Sequence, residues 1–222
     1  MKNVLIIGAS RGIGLEFVRQ YRADGASVTA TARDDAGLER LKALGANALR
    51  LDVTDAASAS SLGWQIEGAA FDVAVVNAGI SGDRVPPLEP PTEANFDAVM
   101  RTNVLGPMRV IPQMAEALAP GARLAVLSSR MGSIGSRTST SSWLYRASKA
   151  AVNSVLKDAS LVLGEKAICV SFHPGWVKTD MGGGSADIDV ATSVAGMRRV
   201  LSGLAPRDTG SFFNYDGRTI AW

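Results

Sequence analysis

At 222 residues, 46% hydrophobic and 20% charged, the chain has the balance of one soluble α/β domain with a sizeable core. Its 23 basic and 21 acidic residues are interleaved, and a net charge of +2 without a basic run leaves no footprint for nucleic acid. One cysteine and one histidine exclude an internal disulfide and a Cys/His metal centre.

In chain order, the apolar run Val4-Leu5-Ile6-Ile7 reads as a first strand. It is too short for a signal peptide and runs directly into a glycine loop. No stretch approaches the ~20 apolar residues that span a bilayer, so a cytoplasmic protein without a membrane segment is expected. β-rich runs predict further strands at 27–32, 48–51, 72–77, 123–128, 168–173 and 211–214. Between them, helical patterns fall at 12–23, 36–44, 57–66, 93–102, 104–117, 142–163 and 190–202. This alternation predicts a doubly wound parallel sheet of about seven strands, a Rossmann-type α/β fold in a single domain over 1–222. Pro107 fits the first turn of a helix restarting near Asn103, so a kink or break is expected there. Cys169 is expected in the core. The segments 130–141 and 182–189, rich in Gly, Ser and Thr or opening with three glycines, read as mobile loops. Both follow strands and so belong at the carboxyl edge of the sheet, on the substrate side.

The first strand ends in Gly8-Ala9-Ser10-Arg11-Gly12-Ile13-Gly14 and continues into a helical pattern. Glycines permit a tight turn and close backbone approach to a pyrophosphate at the positive end of the helix. Lying between strand and helix, the loop is in the context dinucleotide binding requires. The second strand ends at Ala32, with no carboxylate to bond a ribose 2′-OH, and Arg33 follows directly. Arg11 lies in the glycine loop facing the same region. Two guanidinium forks match a 2′-phosphate, so NADP(H) is expected over NAD, with Asp34 and Asp35 opposing in part.

Tyr145 and Lys149 stand four residues apart in a helical segment and share a face. A tyrosine ordinarily loses its proton near ~10, and a neighbouring ammonium lowers that value. The pair is therefore a candidate acid for protonating a developing alkoxide.

The glycine spacing and this pair together resemble the short-chain dehydrogenase/reductase family, over nearly the whole chain. Asn77-Ala78-Gly79 is similar to the family's Asn-Ala-Gly element, Asn103 to its helix-interrupting asparagine, and Ser128-Ser129 to the end of its fifth strand. Pro174-Gly175, with Val177 and Thr179 behind it, resembles the turn beside the nicotinamide. Asp52-Val53 matches the adenine-contacting position. Ser129-Arg130-Met131-Gly132-Ser133, Tyr145-Arg146-Ala147-Ser148-Lys149 and the ending Tyr215-Asp216-Gly217 through Trp222 look closest to sniffer-like and C-factor-like carbonyl reductases. The resemblance implies Tyr145 as proton donor, Lys149 as its tuner and ribose ligand, Ser129 on the substrate oxygen, and Asn103 holding a relay water. Asn77 and Gly79 would support the sheet beside the adenosine ribose.

One departure stands out. Many members carry the serine where Gly132 stands here, thirteen residues before Tyr145, whereas Ser129 lies sixteen before it. Aligning Ser128-Ser129-x-x-Gly132 keeps the strand end in register. Ser129 is then the catalytic serine, Ser128 faces the other way as a structural residue, and Ser133 is the alternative. His173 reads as structural, since the Tyr145/Lys149 pair already supplies the acid. Trp143, Met131, Trp176 and Met181 line the substrate pocket or else serve as core or dimer contacts. The function implied is NADPH-dependent reduction of a ketone or aldehyde. Alternatives are an alcohol dehydrogenase running toward oxidation and an NADP(H)-sensing regulator without turnover. The partner is a small carbonyl or alcohol. Homodimers or homotetramers are common in the family, alongside monomeric carbonyl reductases.

Overall fold

The computed structural model describes residues 1–83 and 86–222. Seven strands form one parallel sheet: β1 (Asn3–Ile7), β2 (Ser27–Ala32), β3 (Asn47–Arg50), β4 (Phe71–Val76), β5 (Leu118–Leu127), β6 (Ala167–His173) and β7 (Ser211–Asn214). Their order is β3-β2-β1-β4-β5-β6-β7, so the winding reverses between β1 and β4. A crevice opens at the carboxyl ends of strands beside such a reversal.

Side chains alternate along each strand, and the sheet is buried on both faces. Val4, Ile6, Val75, Ala125 and Phe172 point into one core with Phe17 and Met197, from helices α1 (Gly12–Ala23) and α8 (Val190–Gly203). Leu5, Ile7, Val76, Leu124 and Cys169 point into the other. There they meet Val110 of α6 (Gly106–Ala115) and Leu156 of α7 (Trp143–Leu163). Cys169 is fully buried, as its apolar surroundings in sequence imply.

The sequence-based elements and the observed ones differ at three places. β5 begins at Leu118 and not at 123, because Leu118 pairs with Phe71 before a register shift that carries Pro120 and the left-handed Gly121 (φ +75). Those two residues read locally as a turn, yet the strand absorbs them as a bulge. The helix expected over 57–66 is two short pieces, α3 (Ala56–Ser60) and α4 (Leu62–Gln65). Here Ser61 bonds back to the Ser58 carbonyl at 2.7 Å and competes with the helical ladder. The break expected at Asn103 is a π-helical turn, Arg101–Leu105, joining α5 (Glu93–Met100) to α6 without interruption of the rod. Pro107 does sit in the first turn of α6. Among the described residues no helix is long and apolar enough to cross a membrane.

Candidate active site

Between β1 and α1 the backbone makes a close-fitting cradle. Gly8 has φ +83, and a Cβ there would come within 2.8 Å of the Ala78 backbone. A Cβ on Gly14 would collide with the Gly8 carbonyl and lie 2.7 Å from the Asn77 amide. The cradle is braced by Gly8 N–H donating to Thr31 Oγ1 (2.9 Å) and by Asn77 Nδ2 donating to the Gly8 carbonyl (2.5 Å). Arg11, at the N-cap of α1, makes no side-chain cap, so the first-turn N–H groups are left to face an anion. A phosphate-bearing dinucleotide fits this arrangement, since the space a side chain would take is what close backbone approach needs.

A cleft of about 120 Å³ opens beside the cradle, lined by Gly8, Ser10, Arg11, Arg33, Asp52, Val53, Asn77, Ala78 and Gly79. Asp52 accepts from Thr54 N–H (2.8 Å) and Thr54 Oγ1 (2.7 Å). Burial opposes its ionisation, but the Thr54 bonds and the Arg33 charge prevail and hold its pKa below the usual carboxylate value. The two acids set against Arg33 in sequence are engaged elsewhere. Asp34 caps α2 (Asp35–Ala43) through Gly37 N–H, and Asp35 pairs with Arg50. Arg33 has no ion pair among the described residues. Arg11 lines the cleft but turns to Asp180, at 2.7 Å.

A larger cavity of about 530 Å³ adjoins it. The segment 77–83 runs from one to the other, Asn77–Ile80 lining the first and Ser81–Asp83 the second. Ser129, Tyr145, His173, Pro174, Gly175, Val177, Thr179 and Ile13 line this cavity. Gly12 (φ +54) packs under Thr179, whose Cγ2 would lie 3.5 Å from a Cβ there. The Thr179 hydroxyl accepts from Gly182 N–H at 3.1 Å, closing a turn that Trp176 Nε1 also holds by donating to the Gly182 carbonyl (2.8 Å). The 182–189 loop is further tied by Lys178 N–H to Ile188 O at 2.9 Å, so it carries more bonding than the expected mobile segment. Met131, Trp176 and Met181 line the cavity, and Trp143 does not.

Tyr145 and Lys149 share a face of α7, with Lys149 Nζ 5.7 Å from the ring centre. Lys149 is buried and donates to the Leu127 carbonyl at 2.8 Å. The direction of the tyrosine shift is opposite to that expected from the pair. Burial pushes Tyr145 up to about 12, and only the Ser129 side chain pulls the other way. Burial also brings Lys149 down to about 8. Desolvation outweighs attraction because Lys149 is buried and its ammonium is turned to a carbonyl rather than to the phenol oxygen.

The π-turn aims Asn103 inward. Its Oδ1 accepts from Ile80 N–H, and its Nδ2 donates to Ile80 O (both 2.8 Å) and to Ser148 Oγ (2.9 Å). A Cβ on Gly79 would lie 3.3 Å from both Asn103 Oδ1 and Lys149 Nζ, so that glycine keeps the two polar groups facing one small space. Ser129 Oγ accepts from Met131 N–H at 3.1 Å and faces the cavity. Ser128 bonds the Lys149 carbonyl (3.2 Å), a structural contact. Ser133 is fully buried and donates to Ala221 O at 2.6 Å, fastening the chain end rather than reaching Tyr145. His173 is partly buried, and burial lowers it to about 4, with the Arg130 charge assisting.

Four supporting residues escaped the sequence reading. Ser148 links Asn103 to the Tyr145 carbonyl (2.8 Å), Thr31 braces Gly8, and Arg40 Nε holds the Ser10 carbonyl at 2.9 Å. Arg146 is buried at the cavity wall. Their contacts are tertiary, and only the adjacency of Arg146 and Ser148 to the Tyr/Lys pair could have drawn attention to them.

Residues 2–188 match the sequence family described as short chain dehydrogenase. The C-signal protein of Myxococcus xanthus is 42% identical over 154 residues, covering 68% of this chain and 92% of that one. A Burkholderia multivorans short-chain dehydrogenase/reductase solved with bound NADP superposes with TM-score 0.90 at 31% identity, covering 100% of this chain and 99% of that one. The carbonyl reductase Sniffer of D. melanogaster gives TM-score 0.89 at 31% identity over 100% of both chains.

Proposed function

The chain belongs to the short chain dehydrogenase family, and on that premise we propose that it is an NADPH-dependent reductase of ketones or aldehydes. The observation that carries this reading is that Ser129 and Tyr145 line the larger cavity, with Lys149 beside the Tyr145 ring and, together with Asn103, next to Gly79 of the smaller cleft. Gly8, Ser10, Gly12, Ile13 and Gly14 would hold the dinucleotide at the cradle, with Asp52, Val53, Asn77, Ala78 and Gly79 along its adenosine half. Pro174, Gly175, Val177 and Thr179 would flank the other half. Ala32 offers no carboxylate to repel a 2′-phosphate, and Arg33 stands beside it without an ion pair among the described residues. The relative from Burkholderia multivorans, solved with NADP, supports the same choice.

When bound, the cofactor supplies hydride to the carbonyl carbon. Tyr145, held protonated by burial across the ordinary pH range, releases its proton to the carbonyl oxygen as charge develops there. Ser129 hydrogen-bonds the same oxygen. Lys149 presents an ammonium, fixed at Leu127 O, to the ribose side of the site, and Asn103 orders the small polar space beside it. Protonated at neutral pH, the phenol is ready to act as the acid in reduction.

The test is consumption of NADPH, beside NADH, with a panel of ketones, aldehydes and quinones, for wild type and Tyr145→Phe. NADPH-preferring turnover that vanishes in the variant is expected. Turnover retained in Tyr145→Phe contradicts the mechanism. Cofactor binding without turnover on any substrate points instead to a sensor.

A further inference from the structure

Resting on the reductase reading above, we propose that the larger cavity takes an oxo acid, whose carboxylate is received by Arg146 with Arg130 while its carbonyl meets Tyr145. Arg146 is 7% exposed and lines the cavity. Its guanidinium has no carboxylate partner among the described residues. Its side-chain hydrogen bond runs from Nε to the Ser141 carbonyl at 2.7 Å, which anchors the group and, among the described residues, leaves the terminal fork without a protein partner and open to the cavity. A planar fork of this kind suits a carboxylate.

The surroundings reinforce the charge. Arg130 lines the same cavity without an ion pair among the described residues, and Arg137 lies close enough to Arg146 to repel it. His173 stays neutral in ordinary conditions, and Asp216, which also faces it, is engaged by Arg218 Nε at 2.9 Å. Asp83 is the acid that lines the cavity, and it is exposed. The first turn of α7 adds to the field, with no side-chain cap and no acidic residue. Ser142 is held at φ +54, a left-handed conformation costly for a non-glycine residue, and Arg146 N–H bonds its carbonyl at 3.0 Å. Met131, Trp176 and Met181 give the carbon skeleton an apolar wall.

The experiment titrates the full chain, alone and with NADP⁺, by calorimetry with benzoylformate, 3-benzoylpropanoate and 4-benzoylbutanoate, each beside its methyl ester. Turnover of all six with NADPH is followed in parallel. At least one acid is expected to bind about ten- to a hundredfold tighter than its ester. Arg146→Met and Arg130→Gln should shrink that ratio, while Arg146→Lys keeps part of it. Should Arg146→Met not fold, the wild-type ratio and Arg130→Gln decide. Equal binding of acid and ester, no binding of either, or a ratio unchanged in the variants overturns the proposal. Esters reduced as readily as acids would sink the anion site and leave the reductase standing. Acids that bind but are never reduced would do the reverse.

Discussion

Lys149 holds a positive charge in a crevice that would be more stable without it. Burial lowers its pKa from 10.5 to about 8. At about 1.4 kcal/mol for each tenfold step, that drop corresponds to roughly 3 kcal/mol of destabilisation at pH 7. Lys149→Met fills similar volume without the charge. It forfeits the bond to Leu127 O, at roughly 1 kcal/mol. The variant should therefore be about 2 kcal/mol more stable than wild type at pH 7 and catalytically dead. The sign with pH follows from the depressed value. At Lys149 the unfolded chain binds more protons than the folded one between about 8 and 10.5, so this residue's contribution to wild-type stability rises with pH through that window. The gap between the two proteins must close there. Urea unfolding of both at pH 7, 8, 9 and 10 measures this. A variant less stable than wild type at pH 7, or a gap that ignores pH, would refute desolvation as the dominant influence on Lys149.

The same shift governs activity. The kcat/KM for reduction should fall above about pH 8 as Lys149 loses its charge, with Tyr145 still protonated until near 12, and a pH profile in NADPH reads this directly. Ser129→Ala should lower kcat/KM by about 10²- to 10³-fold through loss of a donor to the oxygen. Ser133→Ala should instead cost about 1–2 kcal/mol of stability through its bonds to the 221–222 backbone, with far less effect on chemistry. Steady-state kinetics beside denaturant melts separates the two serines. Arg33→Ala should raise the KM for NADPH about tenfold or more and leave that for NADH nearly unchanged. Equal effects on both cofactors would remove Arg33 from the 2′-phosphate site.

The doubly wound sheet was legible because each strand is a short apolar run bounded by turn residues, and because parallel strands buried on both faces need no alternation to recognise. That Ser129, and not Ser133, faces the cavity was legible too. The register Ser128-Ser129-x-x-Gly132 places Gly132 where a Cβ would sit 2.6 Å from the Lys149 backbone, so that glycine marks where α7 docks. What sequence did not disclose depends on burial. The upward shift of Tyr145 follows from the depth of the crevice, and spacing on a helix carries no information about depth. The pairing of Arg11 with Asp180 joins segments 169 residues apart. The irregularity at Asn103 was expected but not its π-helical form, since Pro107 signals a helix start and the chain inserts an extra residue instead of stopping.

The most direct measurement follows one atom. Wild type and Tyr145→Phe are incubated with a reducible carbonyl compound and NADPH carrying deuterium at both C4 positions, and the alcohol is analysed by mass spectrometry. One deuteron on the carbinol carbon from wild type and no alcohol from Tyr145→Phe is the predicted result. Alcohol without the label, or labelled alcohol at an undiminished rate from Tyr145→Phe, would contradict hydride transfer assisted by this tyrosine.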